Sequence, residues 1–247
     1  MNSLTRKSAL LILLLAGTVG ASASWASIIT FATPSGAMTS GGGVSGQATF
    51  TLSAGQLEIT LADLYANPKA VSQLISGLEF TINGVSSGSL TGSSATDIWV
   101  DSGGTFSVAS SPSATGWALQ GLDLCVVCSS GISTAPSELI IGPPDATSPP
   151  LYDAANSSIT DNQPHNPFLD QSATFDISIP SLTAGDFVSS AIFQFGTAFG
   201  ASGSTVTGEC TSGCSPSTVP EPGTLALMSA GLAALAFAAR RRRHPRS

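Results

Sequence analysis

The segment Thr96-Asp97-Ile98-Trp99-Val100-Asp101 carries the plainest binding chemistry in this chain. In an extended strand successive side chains point to opposite faces, so Thr96, Ile98 and Val100 share one face and Asp97, Trp99 and Asp101 the other. An indole between two carboxylates can stack on a sugar ring while accepting hydrogen bonds from its hydroxyls. The competing reading has Trp99 covering a second sheet or a loop while the aspartates stay solvated. Nucleophilic chemistry has thinner support. A Ser-His-Asp set would have to recruit His165, because His244 lies among the terminal arginines, and Pro164, Asn166 and Pro167 place His165 in a loop. It reads better as a loop residue hydrogen-bonded to nearby backbone, so no catalytic residue is expected and the chain is read as a non-enzyme. Gly84-Val85-Ser86-Ser87-Gly88 fits the nucleophile elbow but follows a hairpin turn rather than a parallel strand. Gly41-Gly42-Gly43-Val44-Ser45-Gly46 fits the dinucleotide fingerprint but leads into a strand at Phe50, so no helix N-terminus awaits a pyrophosphate; it reads as a flexible loop.

Short strands joined by turns must hold these residues. Ala48-Thr49-Phe50-Thr51-Leu52 and Leu57-Glu58-Ile59-Thr60-Leu61 alternate apolar with polar residues around a turn at Ser53-Ala54-Gly55-Gln56, the pattern of a half-buried hairpin. One helix is expected next: Asn67 caps it, Pro68 suits its first turn, Val71, Leu74 and Ile75 share a face, and Gly77 ends it. Residues 78–82 alternate again and meet Asn83-Gly84, a strong two-residue hairpin signal. Further strands are expected at 96–101, 104–109, 116–127, 137–141, 173–179 and 187–196. Gly142 to Gln171 breaks the rhythm with six prolines and four aspartates. A loop that long is either a binding loop, fixed by Tyr152, His165 and Phe168, or a crossover draped over one end of the fold.

Charge narrows the function further. Arg6 and Lys7 stand near the start and five arginines stand in the last eight residues, leaving Lys69 as the one base of the body 27–218 against its fourteen acids. Such a surface repels phosphate, which excludes nucleic-acid binding and chemistry that clamps phosphoryl groups with Lys or Arg. Fourteen acids would suit a calcium ion, but no dense Asp-x-Asp-x-Asp run exists, so no metal ligands are named and a structural calcium stands only as an alternative.

Both ends read as sorting devices. Arg6 and Lys7, the apolar stretch from Ala9 to Val19, and Ala21-Ser22-Ala23 or Ser24-Trp25-Ala26 have the three parts of a secretory signal, which implies the Sec export machinery and signal peptidase as partners. At the other end Val219-Pro220-Glu221-Pro222 precedes the apolar run 223–239, which as a helix reaches about 25 Å, just enough for a bilayer core. Arg240, Arg241, Arg242 and Arg243 then stop transfer and stay cytoplasmic, with the body across the membrane. Proline-bracketed peptide, marginal span and basic stop together resemble the bacterial PEP-CTERM sorting signal, whose motif is the Pro220-Glu221-Pro222 triad. The resemblance covers residues 219–247 only. It implies export across the inner membrane of a diderm bacterium and an exosortase that cuts near the triad, releasing or transferring the body to the surface or matrix.

In an exported chain four cysteines point to disulfides rather than metal. Cys125, Cys128, Cys210 and Cys214 allow three connectivities. If residues 122–127 are extended, Cys125 and Cys128 lie about 10 Å apart, so either the chain turns at Val126-Val127 or they pair with the C-terminal two, which would add roughly 4 to 5 kcal/mol in the chain-entropy model.

The expectation is therefore a signal peptide (1–26), an all-β body (27–218) built as an antiparallel β-sandwich, jelly-roll or immunoglobulin-like, with one short helix, and a sorting signal with a transmembrane helix (219–247). The precursor is expected to sit in the inner membrane with its body in the periplasm, and the product to act at the cell surface or in the extracellular matrix, structurally or adhesively, in a biofilm or exopolysaccharide setting. The alternative is a carbohydrate-binding module using Asp97, Trp99 and Asp101, with or without calcium; a hydrolase is the distant third.

Overall fold

The computed structural model describes residues 26–126, 128, 136–160, 164–198, 200–214 and 231. The signal segment, Val219 to Pro222, the apolar run after it (Gly231 apart) and Arg240 to Arg243 lie outside the described residues. Among the described residues, no helix is long and apolar enough to cross a membrane.

The described body is all β. In chain order its strands are β1 (Ala26–Ala32), β2 (Met38–Thr39), β3 (Gly42–Gly43), β4 (Gly46–Ser53), β5 (Gln56–Asp63), β6 (Ile75–Ile82), β7 (Ser89–Val100), β8 (Phe106–Val108), β9 (Ala118–Gln120), β10 (Asp123–Cys125), β11 (Ile140–Ile141), β12 (Phe168–Ser178), β13 (Val188–Phe195), β14 (Thr205–Thr207) and β15 (Glu209–Ser212). Thirteen of them form one sheet, whose main path runs β14-β13-β6-β11-β12-β5-β4-β1-β15. Here the structure departs from the expected sandwich of two sheets: hydrogen bonding is continuous, one pair (β11 with β12) is parallel, and no jelly-roll or immunoglobulin arrangement is assigned.

The sheet curls until its halves face each other. Phe50 of β4 lies 5.5 Å from Phe80 of β6 between ring centres, although these strands are far apart in the hydrogen-bonding order. The two ends of the path meet in the chain itself, because β14 and β15 are separated only by Gly208, whose amide donates to Ala191 O at 2.8 Å. A Cβ at Gly208 would stand 2.8 Å from the Phe193 ring, so this seam requires glycine.

Period-two patterning builds the interior. Ile29, Phe31, Ala48, Phe50, Leu52, Leu57, Ile59 and Leu61 are buried from one half, and Leu78, Phe80, Ala191 and Phe193 from the other. The β4–β5 hairpin forms as expected, with Ser53 paired to Gln56 and Gly55 at φ 72°.

Several expectations on elements are corrected. The helix after Asn67 is a single 3-10 turn, Val71–Gln73. Asn67 sits at φ 53° and its side chain bonds Asp153; Gln73 Oε1 accepts from the Lys69 amide at 2.7 Å and the Ala70 amide at 3.2 Å. Ile75 and Gly77, expected on the helix, instead pair with β11 and β13, because sheet pairing outweighs a short apolar spacing that suits either period. Asn83-Gly84 does turn the chain, with Gly84 at φ 77°, but only Ile82 and Val85 bridge; β6 is flanked by β13, β11 and β10, and β7 crosses to β12. The glycine run at 41–46 is not a loose loop. Gly42 and Gly43 pair with Thr39 and Met38, and Gly43 O accepts from Gln73 Nε2 at 2.8 Å.

Both disulfides are local. The expected 116–127 strand is a hairpin, β9 and β10, that ends at Cys125; the chain then turns, and Cys125 bonds Cys128 with Cα atoms 5.5 Å apart. Cys210 bonds Cys214 at a Cα separation of 5.6 Å. The long cross-link to the C-terminal pair does not form.

Strand polarity gives the body two ends. β1 begins at Ala26 opposite Ser53, and antiparallel β15 runs back beside it, pairing Ser212 with Thr30 before Cys214. The described body is thus entered and left at the end that also holds the β4–β5 turn. Ser89 lies there too, opposite Ser178, and β7 carries Trp99 roughly 33 Å away along the strand. We call that far end the tip.

Candidate functional site

The tip has its own small core. Leu74, Ile98, Val100, Leu139, Ile141, Tyr152, Ile159 and Phe168 are buried together, apart from the main interior. They come from strand ends and from the segment between β11 and β12. Parallel neighbours cannot be joined by a hairpin, so this segment must cross over, and its length follows from that pairing. Tyr152 anchors it: the hydroxyl donates to Gly142 O at 2.9 Å and the ring packs edge-on against Phe106 at 5.5 Å. Burial raises the Tyr152 pKa, with the charges of Asp170 and Asp63 adding to it, so the phenol stays protonated and donating.

On β7 the expected alternation is observed. Ile98 and Val100 are buried, while Trp99 is 43% exposed on the other face. Trp99, Val100, Asp101, Thr105, Phe106, Ser107 and Asn166 line a pocket of about 390 Å³. Two features separate in the sequence thus meet here, the Trp99 strand and the end of the crossover.

Local hydrogen bonds fix the rim. Asp101 Oδ1 accepts from the amides of Gly103 at 3.0 Å and Thr105 at 3.1 Å, and Oδ2 accepts from the Thr105 hydroxyl. The Thr105 hydroxyl bond, against slight desolvation, and then the two amides hold this carboxyl below its usual pKa. Asn166 mimics a strand partner, its Nδ2 donating to Val100 O and its Oδ1 accepting from Val100 N, both at 3.1 Å. Ser107 stands directly across from Trp99 in the β7–β8 pairing.

Asp97 does not join Trp99 and Asp101 in this pocket. Its carboxylate accepts from Ser113 Oγ at 3.4 Å, turned toward the 109–113 segment. Asn166, Thr105 and Ser107 were missed by sequence reasoning: Asn166 arrives by a crossover that no periodicity announces, and Thr105 and Ser107 by the register of the β7–β8 pairing, which alternation within one strand does not set. His165 is buried, its Nδ1 donating to Pro136 O at 2.8 Å, which fits the expected backbone-bound loop residue. Among the described residues no three His, Cys, Asp or Glu side chains are grouped as metal ligands would be.

A second acid has a different surrounding. Asp63 is fully buried at the end of β5, where its Oδ1 accepts from the Tyr65 amide at 2.9 Å and its Oδ2 has no hydrogen-bond partner among the described residues. Burial pushes its pKa well above the usual carboxylate value, against the pull of the Tyr65, Ile75 and Gly142 amides.

Comparison with known proteins bears on the far C-terminal segment. The pattern of the PEP-CTERM protein-sorting motif matches residues 218–243, a stretch that includes Val219 to Pro222 and Arg240 to Arg243. The chain carries a PEP-CTERM sorting signal. The signal marks an exported protein with an exosortase as processing partner, made as a membrane-anchored precursor and later found at the cell surface. The match is limited to that segment, and no curated protein and no solved structure matches the chain.

Proposed function

We propose that the β body is a structural or adhesive component of the cell surface or extracellular matrix, delivered there by exosortase processing of its C-terminal signal. The observation that carries this reading is the sorting motif at 218–243, appended to an all-β body whose described chain enters and leaves at one end. A body held from that end projects its tip outward. The disulfide Cys210–Cys214 lies just before the signal and closes the last strand into a clasp, which suits a protein that must keep its fold after the tail is cut. The reading requires neither turnover nor a cofactor, and it places the body in the periplasm before transfer. The carbohydrate-binding alternative draws its support from the Trp99 pocket at the tip.

The test is fractionation of cells carrying the wild-type chain or a Pro220→Ala, Glu221→Ala, Pro222→Ala triple variant. Wild type should appear at the surface or in the matrix with a mass reduced by the tail. The variant should remain in the inner membrane, and cells with it should adhere and retain matrix like cells lacking the protein. A variant that reaches the surface as wild type does, or cells whose adhesion and matrix ignore its loss, would overturn the reading.

A further inference from the structure

We propose that the tip pocket is a subsite for one uncharged pyranose residue of a polysaccharide chain, with Trp99 as its stacking platform. The proposal deepens the surface reading, which supplies its setting, although binding itself does not depend on export.

The shape of the site points to a flat ring with a polar edge. Trp99 keeps its indole in solvent on a strand whose opposite face is buried, so the ring is not needed to close the core. A pyranose offers C–H groups on its faces and hydroxyls around its edge, and the pocket offers the complement: an indole wall with Asp101, Thr105, Ser107 and Asn166 about it. Asp101, Thr105 and Asn166 are fixed before any ligand arrives. Asn166 commits one N–H and one lone pair to Val100, leaving one of each; Asp101 accepts three bonds from its own loop and retains a further lone-pair site. Little ordering remains when a sugar binds, which favours affinity.

Size and charge narrow the class. A volume of about 390 Å³ is near the lower end for small-molecule pockets, room for one ring rather than an enclosed oligosaccharide. Asp101 is the one ionisable side chain in the lining, and the body has Lys69 as its single base against fourteen acids, so phosphorylated or carboxylated sugars are repelled. A quaternary ammonium ligand is the weaker match. Such cations favour a box of aromatic rings, whereas this pocket has one exposed indole and Phe106 is packed against Tyr152.

The experiment uses the exported, processed protein and follows tryptophan fluorescence and retention during titration with a soluble β-glucan, an α-glucan, a galactomannan, alginate and choline. Trp117 is buried, and Trp25, which stays on the product if the signal is cut after Ala23, is present in the Trp99→Ala variant as well, so a ligand-dependent change that this variant loses reports on Trp99. At least one neutral polysaccharide should bind saturably and shift the emission, while alginate and choline do nothing. Trp99→Ala should weaken binding at least about tenfold, the equivalent of 1.4 kcal/mol, and Trp99→Phe should recover part of it. Both variants should keep the wild-type thermal midpoint, which separates lost binding from lost folding. The proposal is overturned by silence of all three neutral polysaccharides, by binding indifferent to Trp99→Ala, or by choline saturating the same signal. A mislocalised protein that still binds a glucan through Trp99 would refute the surface reading alone; a surface protein with no such binding would refute the subsite alone.

Discussion

The roll and the tip of this molecule are held together by different means. In the roll, apolar residues at every second position meet across β1, β4, β5, β12, β6 and β13, and backbone ladders satisfy the polar groups. At the tip, strands are short or ending, and side chains do the pairing: Tyr152 to Gly142, Asn166 to Val100, Asp101 to its own loop, Asp145 to the Leu151 amide at 2.7 Å. Burial in a periodic sheet is distributed and tolerant in its details. A network of single hydrogen bonds fixes a geometry at a few points, and each point can be removed alone.

The largest effect should come from the roll. Phe50→Ala removes a fully buried ring that contacts Phe31 and Phe80 and should destabilise the whole body by about 3 to 5 kcal/mol in chemical denaturation. The disulfides come next. Because each closes only a few residues, Cys125→Ser with Cys128→Ser should cost about 2 kcal/mol in the chain-entropy model, less than half of what the long cross-link would have supplied. A loss of 4 to 5 kcal/mol would indicate a pairing other than the local one. Tyr152→Phe should cost about 1 to 2 kcal/mol, since it strands the Gly142 carbonyl, and should loosen the tip while the denaturation slope stays unchanged.

Asp63 tests the boundary between the two regions through pH. Its pKa is raised on folding, so between the ordinary carboxyl value, about 3.9, and the raised one the folded chain holds a proton that the unfolded chain has lost. Its contribution to stability is therefore full at low pH and is lost as pH rises through that window. Tyr152 is its electrostatic neighbour, and the phenol remains neutral there. Asp63→Asn should flatten the stability-pH profile in this window and be the more stable form at neutral pH; an unchanged profile would show that the acid is solvated.

The same division explains what was legible in the sequence. Alternation in 48–52 and 57–61 announced the central hairpin and its turn, and alternation in 96–101 put Trp99 opposite Ile98 and Val100. Val71, Leu74 and Ile75 misled because a spacing of three to four residues before a strand suits a helix as well, and only pairing with β11 and β13 decides it. Asn83-Gly84 gave a true turn without a hairpin, since the partners of β6 lie farther along the chain, in β10, β11 and β13. The part of the rim that Asn166 builds was illegible for a related reason: Asn166 reaches Val100 across 66 residues of chain. Asp97 was grouped with Trp99 by alternation, which gives a face but not the direction in which a carboxylate turns.

A rigid roll that bears a separately built tip should show two classes of native-state hydrogen exchange in the exported protein. Amides of β1, β4, β5 and β6 should exchange only through global unfolding, while those at 99–107 and 142–160 exchange through local opening that Tyr152→Phe accelerates without touching the roll. Equal protection in both regions, or a Tyr152→Phe effect that spreads evenly through the sheet, would contradict it.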